Sequence, residues 1–274
     1  MKHVYCHFLF LFLGFQLLAQ TSSDEIYPKG ARSVGIGNAN VTLADEWAVF
    51  NNIGALGRMD HDAVFVGFDQ RFGLQELSTL ALGTSFHLGN GFIGASVFRF
   101  GDDFFNQQAV GLGFSNTLGI VSFGVKVNYL QTNIEGFGRN GAAVLEFGGV
   151  AELSPKLFFG AHIYNLNQAK LSQMTEERLP SVVKTGISFR PNDRLMFNVE
   201  AQKEIENDPQ VKIGLEYNFL EKIWLRTGVN TSPANAAFGL SFTPKKFKID
   251  YALGNNAQLG FTHHVSMSYL LSKQ

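Results

Sequence analysis

From residue 62 to the end of the chain, apolar and polar residues alternate with a period of two. In 211–219, Val211, Ile213, Leu215, Tyr217 and Phe219 share one face, and Lys212, Gly214, Glu216 and Asn218 share the other. In 121–129 the apolar face is Val121, Phe123, Val125, Val127 and Tyr129, opposite Ser122, Gly124, Lys126 and Asn128. In 183–190 Val183, Ile187 and Phe189 oppose Lys184, Gly186, Ser188 and Arg190. This is the period of a β-strand with one apolar face. Strands are expected near 62–72, 77–88, 91–101, 106–115, 119–131, 141–153, 156–166, 179–190, 194–204, 210–219, 222–231, 235–243, 246–254 and 258–271. A strand plus its turn takes about 15 residues, which fits the 9–11 residues of a membrane-spanning strand.

Such alternation fits a soluble β-sandwich, with the polar face in water, or a membrane barrel, with the polar face in the lumen. The turns bear on the choice. Gly89-Asn90-Gly91, Asn116-Thr117-Leu118, Ser154-Pro155, Pro191-Asn192-Asp193, Leu220-Glu221-Lys222 and Pro244-Lys245 are short. Two connections, Thr132–Asn140 and Asn167–Arg178, read as long and fall on the other end. Short periplasmic turns with longer extracellular loops are the habit of outer-membrane barrels. Phenylalanines crowd the short-turn end (Phe86, Phe92, Phe114, Phe123, Phe158, Phe189, Phe219, Phe242 and Phe247), as an aromatic girdle would.

Composition narrows the class further. Charged residues are 16% of 274, with Gly 29, Phe 27 and Pro 7, which is the opposite of a disordered chain. With 22 basic and 23 acidic residues there is no positive field to attract nucleic acid. Met1 to Ala19 reads as a secretory signal peptide: Lys2 and His3, an apolar run from Val4 to Leu18, then a small residue before Gln20. The single cysteine, Cys6, lies inside it, so the remaining chain has no thiol for disulfides, metal ligation or nucleophilic chemistry.

The polar faces carry charges that a simple rule pairs. Two residues face each other across a hairpin when they are equidistant from its centre. Lys126 and Glu146 centre on Gly136, Lys184 and Glu200 on Asn192, and Glu216 and Arg226 on Glu221. Opposite charges in such pairs are favourable, whereas on a lipid face they are costly, so these six residues are expected to face the lumen as ion pairs.

Residues 20–60 break the alternation. A fourteen-stranded barrel is wide enough to leave a pore or to hold a plug. Gly30 to Ala39 is small enough to thread inside, with Gly35 and Gly37 packed against the wall, and Val41–Phe50 could form a helical turn or two capped by Thr42 or Asp45. On this reading the plug enters from the short-turn side, and Trp47 and Phe50 fill the space below the lumen. Gly35-x-Gly37 lacks the strand and third glycine of a dinucleotide loop.

Gly30-Ala31-Arg32, Gly35-Ile36-Gly37-Asn38-Ala39, Leu43-Ala44-Asp45-Glu46 and Asn52-Ile53-Gly54-Ala55-Leu56 together resemble the N-terminal signature of FadL-like outer-membrane barrels. The likeness is strongest to their PorV/PorQ branch, found in Bacteroidota. Ile53 stands where that family usually has proline, and Gly54-Ala55 are in unusual order. The resemblance implies an all-β, up-and-down antiparallel transmembrane barrel of about 14 strands: signal peptide 1–19, N-terminal hatch 20–60, barrel 61–274. Gly35, Gly37, Asp45, Trp47, Phe50 and Asn52 are the expected hatch residues. It also implies passive transport or binding of hydrophobic small molecules, or an accessory role in type IX secretion and surface attachment; a secreted soluble β-protein is the third reading.

The expected location is the outer membrane, with a periplasmic N-terminus. The expected partners are outer-membrane lipid, a hydrophobic ligand and, on the second reading, secretion-system proteins. No Ser/His/Asp set has a recognisable spacing among His87, His162, His263 and His264, so no enzymatic activity is expected. No cofactor or metal is expected either, since His263 and His264 point to opposite faces of one strand.

Overall fold

A computed structural model describes residue 27 and residues 29–171, 178–205 and 207–273; the expected signal peptide lies outside them. The alternating runs form fourteen strands: β1 (His61–Arg71), β2 (Leu74–Leu88), β3 (Gly91–Gly101), β4 (Phe105–Leu118), β5 (Val121–Ile134), β6 (Gly138–Ser154), β7 (Leu157–Tyr164), β8 (Val182–Asn192), β9 (Leu195–Glu204), β10 (Gln210–Leu220), β11 (Ile223–Thr231), β12 (Ala234–Phe242), β13 (Phe247–Asn256) and β14 (Gly260–Lys273). Each pairs antiparallel with its sequence neighbours, and β1 pairs with β14 to close the barrel. Closure leaves no sheet edge to be satisfied in lipid.

The structure departs from the sequence reading at the β5–β6 hairpin. Thr132–Asn140 is not a long loop. The strands continue to Ile134 and from Gly138, and a three-residue turn joins them with Gly136 and Gly138 at positive φ. Polar Thr132, Asn133, Arg139 and Asn140 resemble a loop, yet they pair in register as strand. The long connection that remains is Asn165–Ser181, after β7. Likewise Asn116–Leu118 belongs to β4, and the turn falls on Gly119–Ile120.

The outward faces are apolar. Val211, Ile213, Tyr217 and Phe219 are exposed, while Lys212, Gly214, Glu216 and Asn218 between them are buried inside. Apolar outside and polar inside is the arrangement lipid requires and water would oppose. Seven of the nine phenylalanines assigned to the girdle are exposed at the short-turn end. The other two are not: Phe92 is buried inside against His87, and Phe158 lies beneath Arg58 and Arg190.

Residues 29–59 lie inside the barrel. They contain α1 (Ala31–Gly35), α2 (Ala48–Asn51) and a 3₁₀ segment over Ile53–Arg58. The described part of the segment begins at the long-loop end. Tyr27 stacks on Arg71 and neighbours Lys29 at the long-loop end, and the segment then descends to β1 at the short-turn end. Trp47 and Phe50 sit mid-barrel rather than below the lumen: Trp47 packs on Phe65, with ring centroids 4.6 Å apart, and against Gly67.

The wall makes room with glycine. Inward-facing glycines recur on most strands at the level of the segment, and a Cβ on them would strike it. At Gly67 it would lie 2.6 Å from Trp47, at Gly94 2.7 Å from Val49, at Gly113 2.5 Å from Ile53, and at Gly160 2.6 Å from the Val41 carbonyl. Close backbone approach, rather than a turn, explains why the strands carry glycine there.

Candidate functional site

The filled lumen is the candidate site, and its two sides differ. Along β9–β14 the inner wall is charged and holds residues 30–46. Arg32, at the start of α1, forms a two-pronged pair with Glu216 on β10 (Nη2 to Oε1 2.6 Å, Nε to Oε2 2.8 Å), and its Nη1 reaches Asp45 at 3.1 Å. Arg226 on β11 joins the same Glu216 and also reaches Asp250 on β13 at 2.9 Å. Glu200 on β9 accepts the backbone N–H groups of Asn40 and Val41, both at 2.7 Å, and pairs with Lys212 at 3.0 Å. Glu46 meets Lys248 at 3.3 Å and accepts the Ser268 hydroxyl. Burial raises the Glu46 carboxyl, but Lys248 and that hydroxyl hold it down at about 2. Burial likewise opposes the charge on Arg32, and Glu216 and Asp45 outweigh it, holding the guanidinium above its usual value.

Along β3–β8 the grip is apolar. Val49, Ile53 and Leu56 are fully buried against Gly94 and Gly113, and Trp47 is buried against Phe65 and Gly67 of the adjoining β1. Asn52 caps the 3₁₀ segment by accepting the Gly54 N–H at 3.1 Å, and it donates to the Val41 carbonyl at 2.6 Å. Ser115 on β4 accepts the Gly57 N–H at 3.0 Å. Above this level, towards the long loop, Phe98, Phe100, Leu130, Val144, Tyr164 and Val182 form one buried apolar cluster on the inner wall, beside the polar pair Gln107 and Thr132. Leu171 and Leu179, both within the long connection, pack onto this cluster.

The residues singled out from sequence fall as follows. Gly35 lies against Gly239 and Arg226, and Gly37, at φ 64°, lies against Val229. Asp45 accepts the Trp47 N–H at 3.0 Å as well as Arg32. Phe50 neighbours Trp47 and lies 5.3 Å from the Lys126 ammonium. Lys126 faces Glu146 in register, 3.3 Å apart, with His162 sharing the carboxylate at 2.9 Å. Glu216 faces Arg226 in register. Lys184 and Glu200 do not face each other. The β8–β9 turn falls on Asp193–Arg194 and is not centred on Asn192, so Lys184 faces Gln202 and Glu200 faces Gly186. All six charged residues point inward and are buried.

Sequence reasoning missed Arg32 as a functional residue, along with Glu46, Lys248, Asp250 and Lys212. One signal was available: Arg32 is the only charged residue between Gly30 and Ala44. The histidines are held in the wall. His264 lies 2.8 Å from Asp69 and 2.9 Å from Thr262, and His263, outside, meets Tyr251 at 2.8 Å.

Two cavities open at the short-turn end, one on each side of the descending segment. That beside β10–β14 is about 580 Å³ and includes Arg32, Trp224 and Lys248 in its lining; the other, about 460 Å³, lies between Arg58 and Arg190.

No known family model matches the chain, and no curated protein matches its sequence. Solved structures do match its fold. The deltaS2 mutant of the TodX monoaromatic hydrocarbon channel superposes with a TM-score of 0.76 at 12% identity, covering 90% of this chain and 100% of that one. The CymD monoaromatic hydrocarbon channel gives 0.69 at 11%, covering 90% and 98%. A Pseudomonas aeruginosa FadL homologue gives 0.61 at 14%, covering 88% and 98%. At these identities the likeness is one of fold: a closed fourteen-stranded barrel built like those of FadL-family channels.

Proposed function

We propose that this chain is an outer-membrane barrel that binds and passes hydrophobic small molecules, with residues 29–60 as its hatch. One observation carries the reading. The upper inner wall of β3–β8 carries a large apolar cluster, although a water-filled lumen calls for polar residues there. Phe98, Phe100, Leu130 and Val144 form a receiving surface for a hydrophobic molecule arriving from the long-loop end. Below it the hatch fills the cross-section, so passage requires part of the hatch to move. The part to move is residues 30–46, held by ion pairs that can exchange partners with water. The part that stays is residues 47–59, held by apolar packing beside the covalent link to β1. The short-turn end is then periplasmic. The structural neighbours named as hydrocarbon channels support the same class of cargo.

The test compares the full chain with a variant lacking residues 21–58, both reconstituted into liposomes. The full chain should show saturable uptake of a monoaromatic hydrocarbon and exclude small polar solutes. The truncated chain should admit polar solutes and lose saturation. A full chain without uptake, and a truncation that leaves permeability low, would overturn the reading.

A second reading is favoured by a different observation. Every strand is hydrogen-bonded to both neighbours, so the wall offers no side exit. A sealed wall, together with the N-terminal signature, suits an accessory barrel of type IX secretion, PorV/PorQ-like. Co-purification of secretion components with a full chain inert to hydrocarbons would select it.

A further inference from the structure

We propose that Lys184 is a positioning residue for hatch movement: it is the reserve partner of Glu200 and takes that carboxylate when residues 30–46 leave the wall. The proposal rests on the reading that this part of the hatch moves.

Lys184 points inward from β8 and is only 4% exposed, yet its ammonium forms no hydrogen bond and no ion pair among the described residues. A buried cation without a partner is costly. Two carboxylates act on it, Glu200 and Glu146, with Lys212 and Lys29 as like charges. Glu146 is saturated by the wall, through Lys126 at 3.3 Å, His162 at 2.9 Å and the Asn128 amide. These partners sit on barrel strands, so movement of the hatch leaves Glu146 satisfied. Glu200 differs. Its Oε1 pairs with Lys212 on β10 at 3.0 Å, but its Oε2 accepts only the backbone N–H groups of Asn40 and Val41, both at 2.7 Å. Departure of residues 30–46 strips both donors from this oxygen at once.

The wall places Lys184 next in line. It faces Gln202, so Glu200, two residues along the same inner face of β9, is its diagonal neighbour. Diagonal neighbours lie about 7–8 Å apart, within the span of a flexible lysine side chain. Gln202 offers the ammonium no oxygen, because its own is taken by Lys212 at 2.6 Å. Directly opposite Glu200 is Gly186, and Val41 fills the space its missing side chain leaves: a Cβ there would lie 2.9 Å from Val41 Cγ1. Val41 thus both bonds Glu200 and occupies the wall beside it. Once it leaves, ammonium and carboxylate can meet over Gly186. The closed barrel holds an unpaired cation and the open one an ion pair, and that difference favours opening.

The experiment measures two rates on the full chain: thiol labelling of an Ala39→Cys variant in detergent, and hydrocarbon uptake into liposomes. Ala39 is buried while the hatch is in place. Lys184→Met keeps the length and removes the charge. It should slow labelling about tenfold, lower uptake in parallel and raise Tm, whereas Lys184→Arg should stay near the parent. In a Glu200→Gln background Lys184→Met should change neither rate, because the carboxylate is then missing from both states. A lysine that only neutralised the closed wall would give the opposite sign, with a lower Tm and faster labelling. Labelling that is unchanged or faster in Lys184→Met, or slowed equally without Glu200, would overturn the proposal. Parent uptake that Lys184→Met leaves untouched would overturn the role of Lys184 and spare the hydrocarbon reading. Slowing that depends on Glu200, in a chain that takes up no hydrocarbon, would uphold Lys184 and overturn that reading instead.

Discussion

The two sides of the inner wall hold one segment by different physics. On the β9–β14 side, residues 30–46 are fixed by Glu216, Glu200, Lys248 and Ser266, through ion pairs and hydrogen bonds. On the other side, residues 47–59 are fixed by Trp47 packed on Phe65 and Gly67 of β1 and by Val49, Ile53 and Leu56 packed on glycines of β3–β8. A buried ion pair adds little net stability when intact but leaves a costly orphan when one partner is removed. Apolar packing loses stability in proportion to the atoms deleted and needs no partner. The charged side can therefore be switched, and the packed side serves as an anchor.

The largest expected effect comes from Glu216→Gln. It leaves Arg32 and Arg226 short of a carboxylate and should cost about 3–5 kcal/mol. It should also free residues 30–46, so that a cysteine at Ala39, in a chain with no cysteine after Cys6, becomes labelled much faster than in the parent. Trp47→Ala should cost a similar ~3–5 kcal/mol by cavity formation. Here the same cysteine at Ala39 should stay protected, because the charged grip is untouched. Equal labelling in the two variants would erase the distinction between the sides.

Much of this was legible beforehand, for a physical reason. Lipid outside forces strict alternation, so strand phase survives errors in strand ends: Lys184 and Glu200 point inward although their register was misjudged. Register needs the turn centre, and nothing in Pro191-Asn192-Asp193-Arg194 marks that β8 runs on to Asn192 and the turn falls on Asp193–Arg194. The hairpin of Lys126 and Glu146 turns symmetrically about Gly136, so that centre sufficed. What joins the hatch to the wall was not legible. Glu200 meets Asn40 and Val41 some 160 residues away, through backbone N–H groups that no side-chain pattern announces.

Gly160→Val is the intermediate test. The added atoms meet the Val41 carbonyl, and overpacking of this kind costs about 1–3 kcal/mol. It should raise labelling at Ala39 less than Glu216→Gln does. The smallest effect concerns pH. Because Glu46 is held at about 2, below the ordinary 4.5, its contribution is complete above about 4.5 and fades as pH falls towards 2. Glu46→Gln should remove that contribution at neutral pH and flatten the acid limb of a thermal-unfolding series.

Locking each side in turn tests the central claim most directly. Val41→Cys with Gly186→Cys would tie residues 30–46 to the neighbouring strand β8, since a Cβ at Gly186 lies 2.9 Å from Val41 Cγ1. Val49→Cys with Gly94→Cys would tie the packed side to β3, where the two Cβ atoms would lie 3.3 Å apart. Hydrocarbon uptake into liposomes is measured for each oxidised pair, then after reduction. The account predicts that the first lock stops uptake and reduction restores it, while the second lock leaves uptake unchanged. Uptake that persists with Val41→Cys/Gly186→Cys oxidised, or that is stopped only by the lock at Val49, would contradict it.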